Sequence, residues 1–92
     1  MNKLHWTPKF IRSFKKASKK SSQLLQKIEI ALSKIQEDYT EPSLKSHRLK
    51  GNLKGFWAAS IDYNYRIVFE IIEVESNVEI ILHVVGTHDE VY

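Results

Sequence analysis

The spacing of apolar residues changes abruptly at Pro42, and this change constrains the fold more than any other feature of the sequence. Before it, apolar side chains recur every three or four residues over 22–39, as they do on one face of an amphipathic helix. After it, three apolar runs are separated by short polar segments and follow the two-residue period of strands. Helices that precede strands along the chain favour an α+β fold.

Two helices are predicted in the first part of the chain, preceded by a short edge strand at 4–6. Thr7 is a suitable N-cap and Pro8 a suitable first helical residue, so we expect a helix over about 8–20. Ser21 and Ser22 offer a second cap, and a second helix is expected over about 22–39. Because the break between them is short, the pattern favours an antiparallel helical hairpin.

Three strands are predicted in the second part, over 56–61, 65–72 and 78–85. Their short connections favour an antiparallel sheet, with the helical hairpin packed on one of its faces. Strand alternation directs Arg66 away from the more apolar face of the middle strand. At 92 residues the chain is expected to form a single domain, 1–92.

Charge is distributed unevenly along the chain. Residues 1–54 carry a formal charge of +9 and residues 55–92 a charge of −6, and Arg66 is the one basic residue of the second part. Such a division favours a basic surface that meets a polyanion or an acidic partner.

Several classes of protein are not supported by the sequence. Cysteine is absent, which removes disulfides, thiolate metal sites and a cysteine nucleophile. No apolar run approaches the roughly 20 residues of a membrane-spanning helix, so we expect no membrane partner and a cytoplasmic location. Walker A and Gly-x-Ser-x-Gly motifs are missing, and His88-Asp89 alone offers too few metal ligands. We therefore expect neither metal nor cofactor.

Two histidines are candidates for acid–base chemistry. His47 lies among basic residues that favour its neutral form, whereas Asp89 beside His88 favours the protonated form. A neutral and a protonated histidine are what a general base and a general acid require. The alternative is that both are surface loop residues. His5 and His83 lie within predicted strands, where a structural role is favoured.

A basic segment precedes the first of the three predicted strands. It contains two glycines and four basic residues, Lys45, Arg48, Lys50 and Lys54. A flexible basic loop can bring ammonium groups and backbone amides to a phosphate, although a solvated loop is the simpler interpretation. Nearby aromatic residues and the terminal Tyr92 offer rings on which unpaired bases could stack.

Three segments together, 47–57, 62–69 and 86–92, resemble the RelE/ParE toxin superfamily, and most closely its YafQ-like and YoeB-like messenger-RNA interferases. The resemblance runs through nearly the whole chain. It implies a RelE-like fold and a ribosome-dependent endoribonuclease that is the toxin of a type II toxin–antitoxin system. It also implies a hetero-oligomer with a cognate antitoxin, and contacts with messenger RNA and ribosomal RNA.

The resemblance also implies roles for individual residues in a metal-independent reaction. A base takes the proton of a 2′-hydroxyl, the oxygen attacks the adjacent phosphate, and an acid protonates the leaving 5′-oxygen. By its position in the motifs, His47 is the expected base and His88 the expected acid. Arg66 is expected to stabilise the charged intermediate, and Tyr92 to stack on the message. Lys45, Arg48, Lys50 and Lys54 are the expected RNA-binding residues.

The sequence departs from the family pattern at two positions. Ser60 stands where YafQ-like members carry a further histidine, and Asn64 stands where they carry an aspartate. Arg66 instead follows the YoeB-like pattern. Two other functions remain open at this stage: a non-catalytic ParE-like toxin that inhibits DNA gyrase, and a basic RNA-binding module.

Overall fold

The computed structural model describes residues 2–92 as three helices and one five-stranded sheet. Two single-turn 3₁₀ helices, Pro42–Leu44 and Gly51–Leu53, flank the second strand. In chain order the elements are β1 (Lys3–Trp6), α1 (Pro8–Ser18), α2 (Ser22–Glu37), β2 (His47–Arg48), β3 (Phe56–Ser60), β4 (Tyr65–Val74), β5 (Asn77–Thr87) and α3 (His88–Val91).

Both long helices begin where the capping residues predict. The Thr7 hydroxyl accepts the Phe10 N–H and donates to the Leu82 carbonyl, so one side chain caps α1 and attaches it to the sheet. The Ser21 hydroxyl accepts the Leu24 N–H and so caps α2. An N-cap of this kind contributes about 1 kcal/mol to stability. Each helix ends about two residues earlier than predicted, α2 because the Asp38 carboxylate binds the Thr40 N–H and hydroxyl and starts a turn.

The sheet confirms the predicted α+β fold and adds one parallel pairing. Its strand order is β1-β5-β4-β3-β2, and the β3–β4 and β4–β5 pairs are antiparallel as predicted. The short strand β2 adds a further antiparallel pair with β3. The edge strand β1 runs parallel to β5, so the sheet is mixed rather than wholly antiparallel. A parallel partner needs a long crossover, and the helical hairpin supplies the first part of that connection.

The two faces of the sheet are covered differently. The main core lies between the helices and one face, which carries Ile67 and Phe69 of β4 beneath Phe10, Ile28 and Ile35. The opposite face, here called the open face, carries Arg66 and Val68 by strand alternation. A small cluster of Val68, Val84 and Val91 shows that α3 packs on this open face.

Two local features were not predicted from the sequence. His47 and Arg48 form the edge strand β2 instead of a loop, and the chain after β5 turns into α3. A bulge adds one residue to β5 between Leu82 and Val84, opposite Val68 and Phe69. Because side chains alternate, the extra residue puts Gly86 on the open face beside Arg66.

No helix within residues 2–92 is both long and apolar enough to cross a membrane.

Candidate active site

Arg66 occupies the open face near the end of the sheet, in register with Ser60 of β3 and Gly86 of β5. Its Nη1 donates to the carbonyls of Asp62 at 2.8 Å and Tyr63 at 3.2 Å in the turn between β3 and β4, and to that of Tyr65, the first residue of β4, at 3.0 Å. These bonds fix the guanidinium through one nitrogen. A guanidinium has five N–H donors, so those on Nε and Nη2 remain to bind an anion.

α3 brings two further candidate residues to the same place. Gly86 makes this possible, because a Cβ there would lie 3.1 Å from Glu90 and 3.4 Å from Val91. His88 begins α3 and Tyr92 directly follows it, and their rings meet edge to face with centroids 4.5 Å apart. Partial burial raises the pKa of the Tyr92 hydroxyl, and the nearby Arg66 charge opposes that rise.

An open hollow of about 380 Å³ lies between these groups. Its size is within the range of small-ligand sites, roughly 300–1,000 Å³. Arg66 and Asp89 contribute charges of opposite sign, and the His88 ring is largely exposed, so it can reach a bound group. The lining residues are Tyr63, Asn64, Arg66, Thr87, His88 and Asp89.

His47 lies on the open face but outside this hollow. It pairs with Ala58 of β3, which pairs in turn with Val68 of β4, two residues along that strand from Arg66. Two strand spacings across the sheet and two residues along β4 put the Cα of His47 roughly 12 Å from that of Arg66. Its Nδ1 lies 3.1 Å from the Lys45 carbonyl. A carbonyl only accepts hydrogen bonds, so Nδ1 carries the proton and the neutral ring has its lone pair on Nε2.

The predicted RNA-binding residues lie elsewhere. Lys45, Arg48, Lys50 and Lys54 are all exposed, and the last three line a second hollow against Trp57. The pairing of Arg48 with Trp57 puts both side chains on the helix side of the sheet, across the edge from His47. The structure therefore brings Arg66, His88 and Tyr92 together and holds three of the four basic residues, Arg48, Lys50 and Lys54, around a separate cavity.

Glu90 and Lys16 hold α3 in place, and the sequence analysis missed both. The Glu90 carboxylate accepts the Thr87 N–H at 2.9 Å and the Lys16 ammonium at 3.0 Å, closing a capping box at the start of α3. The Thr87 N–H, the Lys16 ammonium and the Thr87 hydroxyl lower the Glu90 pKa to about 2. The Thr-x-x-Glu spacing of Thr87 and Glu90 was the signal that could have revealed α3.

The other two histidines pair with carboxylates on the open face. His5 Nε2 lies 2.6 Å from Glu79, and His83 Nε2 lies 3.1 Å from Glu70 with its ring edge-on to Phe56. Across the described chain, residues 2–92, no three His, Asp or Glu side chains are grouped so as to hold a metal ion.

Comparison with known proteins assigns the family. A family model described as the bacterial toxin of type II toxin-antitoxin system, YafQ, matches residues 2–92. The chain belongs to the YafQ toxin family. Among individually curated proteins, none matches this sequence at a significant level.

Solved structures of toxins share the fold of this YafQ-family chain. YafQ from E. coli superposes with a TM-score of 0.83 at 14% identity, covering 100% of this chain and 99% of that one. The YoeB/ParE toxin from Agrobacterium tumefaciens gives 0.79 at 20% identity, covering 94% and 98%. The E. coli DinJ-YafQ toxin-antitoxin complex gives 0.73 at 15% identity, covering 99% and 97%. At these identities the likeness concerns the fold.

Proposed function

We propose that this toxin is a ribosome-dependent endoribonuclease that cleaves messenger RNA by general acid–base chemistry. The observation that carries the proposal is the hollow at one end of the sheet that Arg66 and His88 line, with the Tyr92 ring packed edge to face against His88. A fixed cation, a titratable ring and an aromatic surface are the groups that cleavage of an RNA phosphodiester requires. Membership of a toxin family supplies the biological setting.

Arg66 binds the scissile phosphate in this mechanism. Attack by the 2′-oxygen adds negative charge to the phosphate, and donors already fixed in place stabilise that charge without reorganisation. The bonds from Nη1 to the carbonyls of Asp62, Tyr63 and Tyr65 hold the guanidinium at the wall of the hollow, and its Nε and Nη2 donors bind the phosphate. Lysine could not reproduce this geometry, because it presents one ammonium rather than a planar fork.

His88 protonates the leaving 5′-oxygen, and Tyr92 positions the message. The edge-to-face contact with Tyr92 orients an otherwise exposed imidazole. Tyr92 has 42% of its surface exposed, which leaves ring area for a base to stack on. The Tyr92 phenol is neutral near neutral pH and does not repel the phosphate, and burial raises its pKa further from that range.

His47 takes the proton of the 2′-hydroxyl through Nε2. Its hydrogen bond to Lys45 leaves that nitrogen as the acceptor, and the exposed ring lies on the same face as Arg66. The roughly 12 Å between the Cα atoms of His47 and Arg66 leaves room for a nucleotide between the base and the phosphate-binding arginine. Ser60, in register with Arg66, and Asn64, on the wall of the hollow, give the site neutral groups at both positions where relatives carry titratable ones.

The toxin acts in the cytoplasm, where ribosomes and messages are found, and a cognate antitoxin holds it inactive in a hetero-oligomer. The E. coli YafQ relative is described in complex with DinJ as a toxin-antitoxin pair. Lys45, Arg48, Lys50 and Lys54 bind RNA of the message or the ribosome.

Induction in a bacterial host, with mapping of messenger-RNA 5′ ends, tests the proposal. The wild-type chain should produce cuts within translated codons, and His88→Ala should abolish them while the protein accumulates normally. His5→Ala is the matched control, because His5 is a paired histidine on β1 that does not line the hollow. Growth arrest without cuts, equal in wild type and His88→Ala, would point instead to gyrase inhibition or simple binding.

A further inference from the structure

A second hollow, of about 540 Å³, opens beside the edge strand β2. The 3₁₀ turn Gly51–Leu53 shapes this hollow. Gly51 begins the turn with a φ of +68°, and Gly55, two residues after its end, has a φ of +100°. Residues other than glycine rarely adopt these backbone angles. Neither glycine has an atom within 4 Å of where a Cβ would stand, so the backbone here is open to a ligand.

Trp57 forms an aromatic wall of this hollow. Its indole is fixed by Tyr39, edge-on at 5.4 Å, and by Phe69, stacked at 6.4 Å. The Arg48 guanidinium lies over the indole, 5.3 Å from the ring centroid. An indole and a guanidinium plane are the two surfaces on which proteins stack unpaired bases.

The rim of the hollow is positively charged. Arg48, Lys50 and Lys54 all line it and are all exposed, and no acidic residue within the described chain lines it. Ammonium groups bind phosphates as mobile point charges. A stacking wall with a cationic rim matches a nucleotide, whose base is flat and whose phosphate is anionic, better than it matches an acidic protein segment, which has no ring to stack.

The position of the hollow relative to the reaction centre is set by strand alternation. His47 and Arg48 are consecutive in β2, and their side chains emerge on opposite faces of the sheet. One strand of RNA that passes around this edge can therefore meet His47 on the open face and Arg48 with Trp57 on the other.

We propose that this hollow binds one unpaired nucleotide of an RNA strand that passes around the β2 edge. Its base stacks on Trp57 and Arg48, and its phosphates pair with Lys50 and Lys54. The inference rests on the proposed ribonuclease function for its biological role, but binding itself needs no cleavage.

Fluorescence of Trp57 tests the site directly. Trp6→Phe leaves Trp57 as the sole tryptophan, and Trp6 lies in β1 at the opposite edge of the sheet. The probe is a 2′-O-methyl hexanucleotide, which lacks the 2′-hydroxyl needed for cleavage. Stacking should quench Trp57 emission in a saturable way. Arg48→Ala and Lys50→Ala should each weaken binding about tenfold, whereas Lys9→Ala, an exposed cation on α1, should change it less than twofold.

Three results would overturn the proposal. These are the absence of quenching, equal weakening by Arg48→Ala and Lys9→Ala, and equal quenching by inorganic phosphate or polyglutamate, which carry charge without a base. Arg48→Lys separates stacking from charge, since it keeps the cation and loses the planar group. If Trp6→Phe folds poorly, the two indole N–H resonances of the unmodified protein provide the same measurement.

The source of the nucleotide is decided on ribosomes. A 4-thiouridine in the message should crosslink to the segment 48–57 if the hollow holds the message. A crosslink from ribosomal RNA alone would assign the same site to the ribosome, and a crosslink from neither would contradict the proposal.

Discussion

The hydrogen bond between His47 and the Lys45 carbonyl determines which nitrogen of His47 is basic. With its proton on Nδ1, the neutral ring keeps its lone pair on Nε2. His88 has no comparable anchor, because its nearest carboxylate, Asp89, is 3.6 Å away and fully exposed. Its orientation depends instead on Tyr92 and on the position of α3. At the scale of single residues, the proposed base is held by the backbone and the proposed acid by a neighbouring ring.

Glu90 gives a prediction about pH. Its pKa is about 2 in the folded chain against an ordinary value of 4.5, so its contribution to stability is present above about pH 4.5 and is lost as the pH falls towards 2. In thermal unfolding near neutral pH, the Glu90→Gln variant should have a lower Tm than the wild type. This difference in Tm should shrink as the pH falls from about 4.5 towards 2. Lys16→Met should reproduce part of the loss, and Lys15→Met should not. A difference that is constant with pH would contradict this account.

At the scale of elements, α3 determines whether the proposed site is assembled. It is a single turn, held by the capping box at Thr87, by Lys16 of α1 and by the contact of Val91 with Val68 and Val84. His88 and Tyr92 begin and follow this turn, so a small displacement of it moves both away from Arg66. The helical hairpin thereby influences the reaction centre without contributing a reacting group.

Gly86→Ala tests this dependence on α3. The added Cβ would stand 3.1 Å from the Glu90 side chain, so α3 must shift by a few tenths of an ångström. Message cleavage should fall about tenfold or more, since catalysis is sensitive to such displacements. Tm should fall by less than in Glu90→Gln, because this variant keeps the Glu90 carboxylate and α3 lies outside the main core. Equal cleavage by variant and wild type would show that α3 position does not limit the reaction.

The sequence predicted the helices and strands better than it predicted how the strands pair and where they lie in the sheet. Caps at Thr7 and Ser21 and the two-residue period around Arg66 located both helices and the central strand, because local chemistry determines them. The bulge between Leu82 and Val84 could not be predicted from local sequence, because it depends on how β4 pairs with β5. It sets the face of Gly86, and therefore where α3 packs. The separation of His47 from the Arg66 hollow likewise follows from sheet order.

At the scale of the whole molecule, the charge division of the sequence becomes spatial only in part. Lys16 pairs with Glu90 and Lys27 with Asp62, which joins the basic helices to the acidic part of the chain. Of the remaining acids of that part, Asp89 lines the Arg66 hollow and the others lie along the β4–β5 hairpin, with Glu73 and Glu75 near its tip, roughly 25 Å from Arg66. RNA is therefore expected to approach the end of the sheet that carries Arg66 and the β2 edge, away from this tip.

The central claim is that the 2′-hydroxyl of the message is the nucleophile. It is tested most directly on purified ribosomes programmed with a synthetic message that carries a 2′-deoxynucleotide at the cleaved position. The account predicts that the unmodified message is cut to leave a 5′-hydroxyl and a 2′,3′-cyclic phosphate or its 3′-phosphate product, and that the 2′-deoxy message is left intact. Cleavage of the 2′-deoxy message, or products with a 5′-phosphate, would contradict it, because water would then be the attacking group.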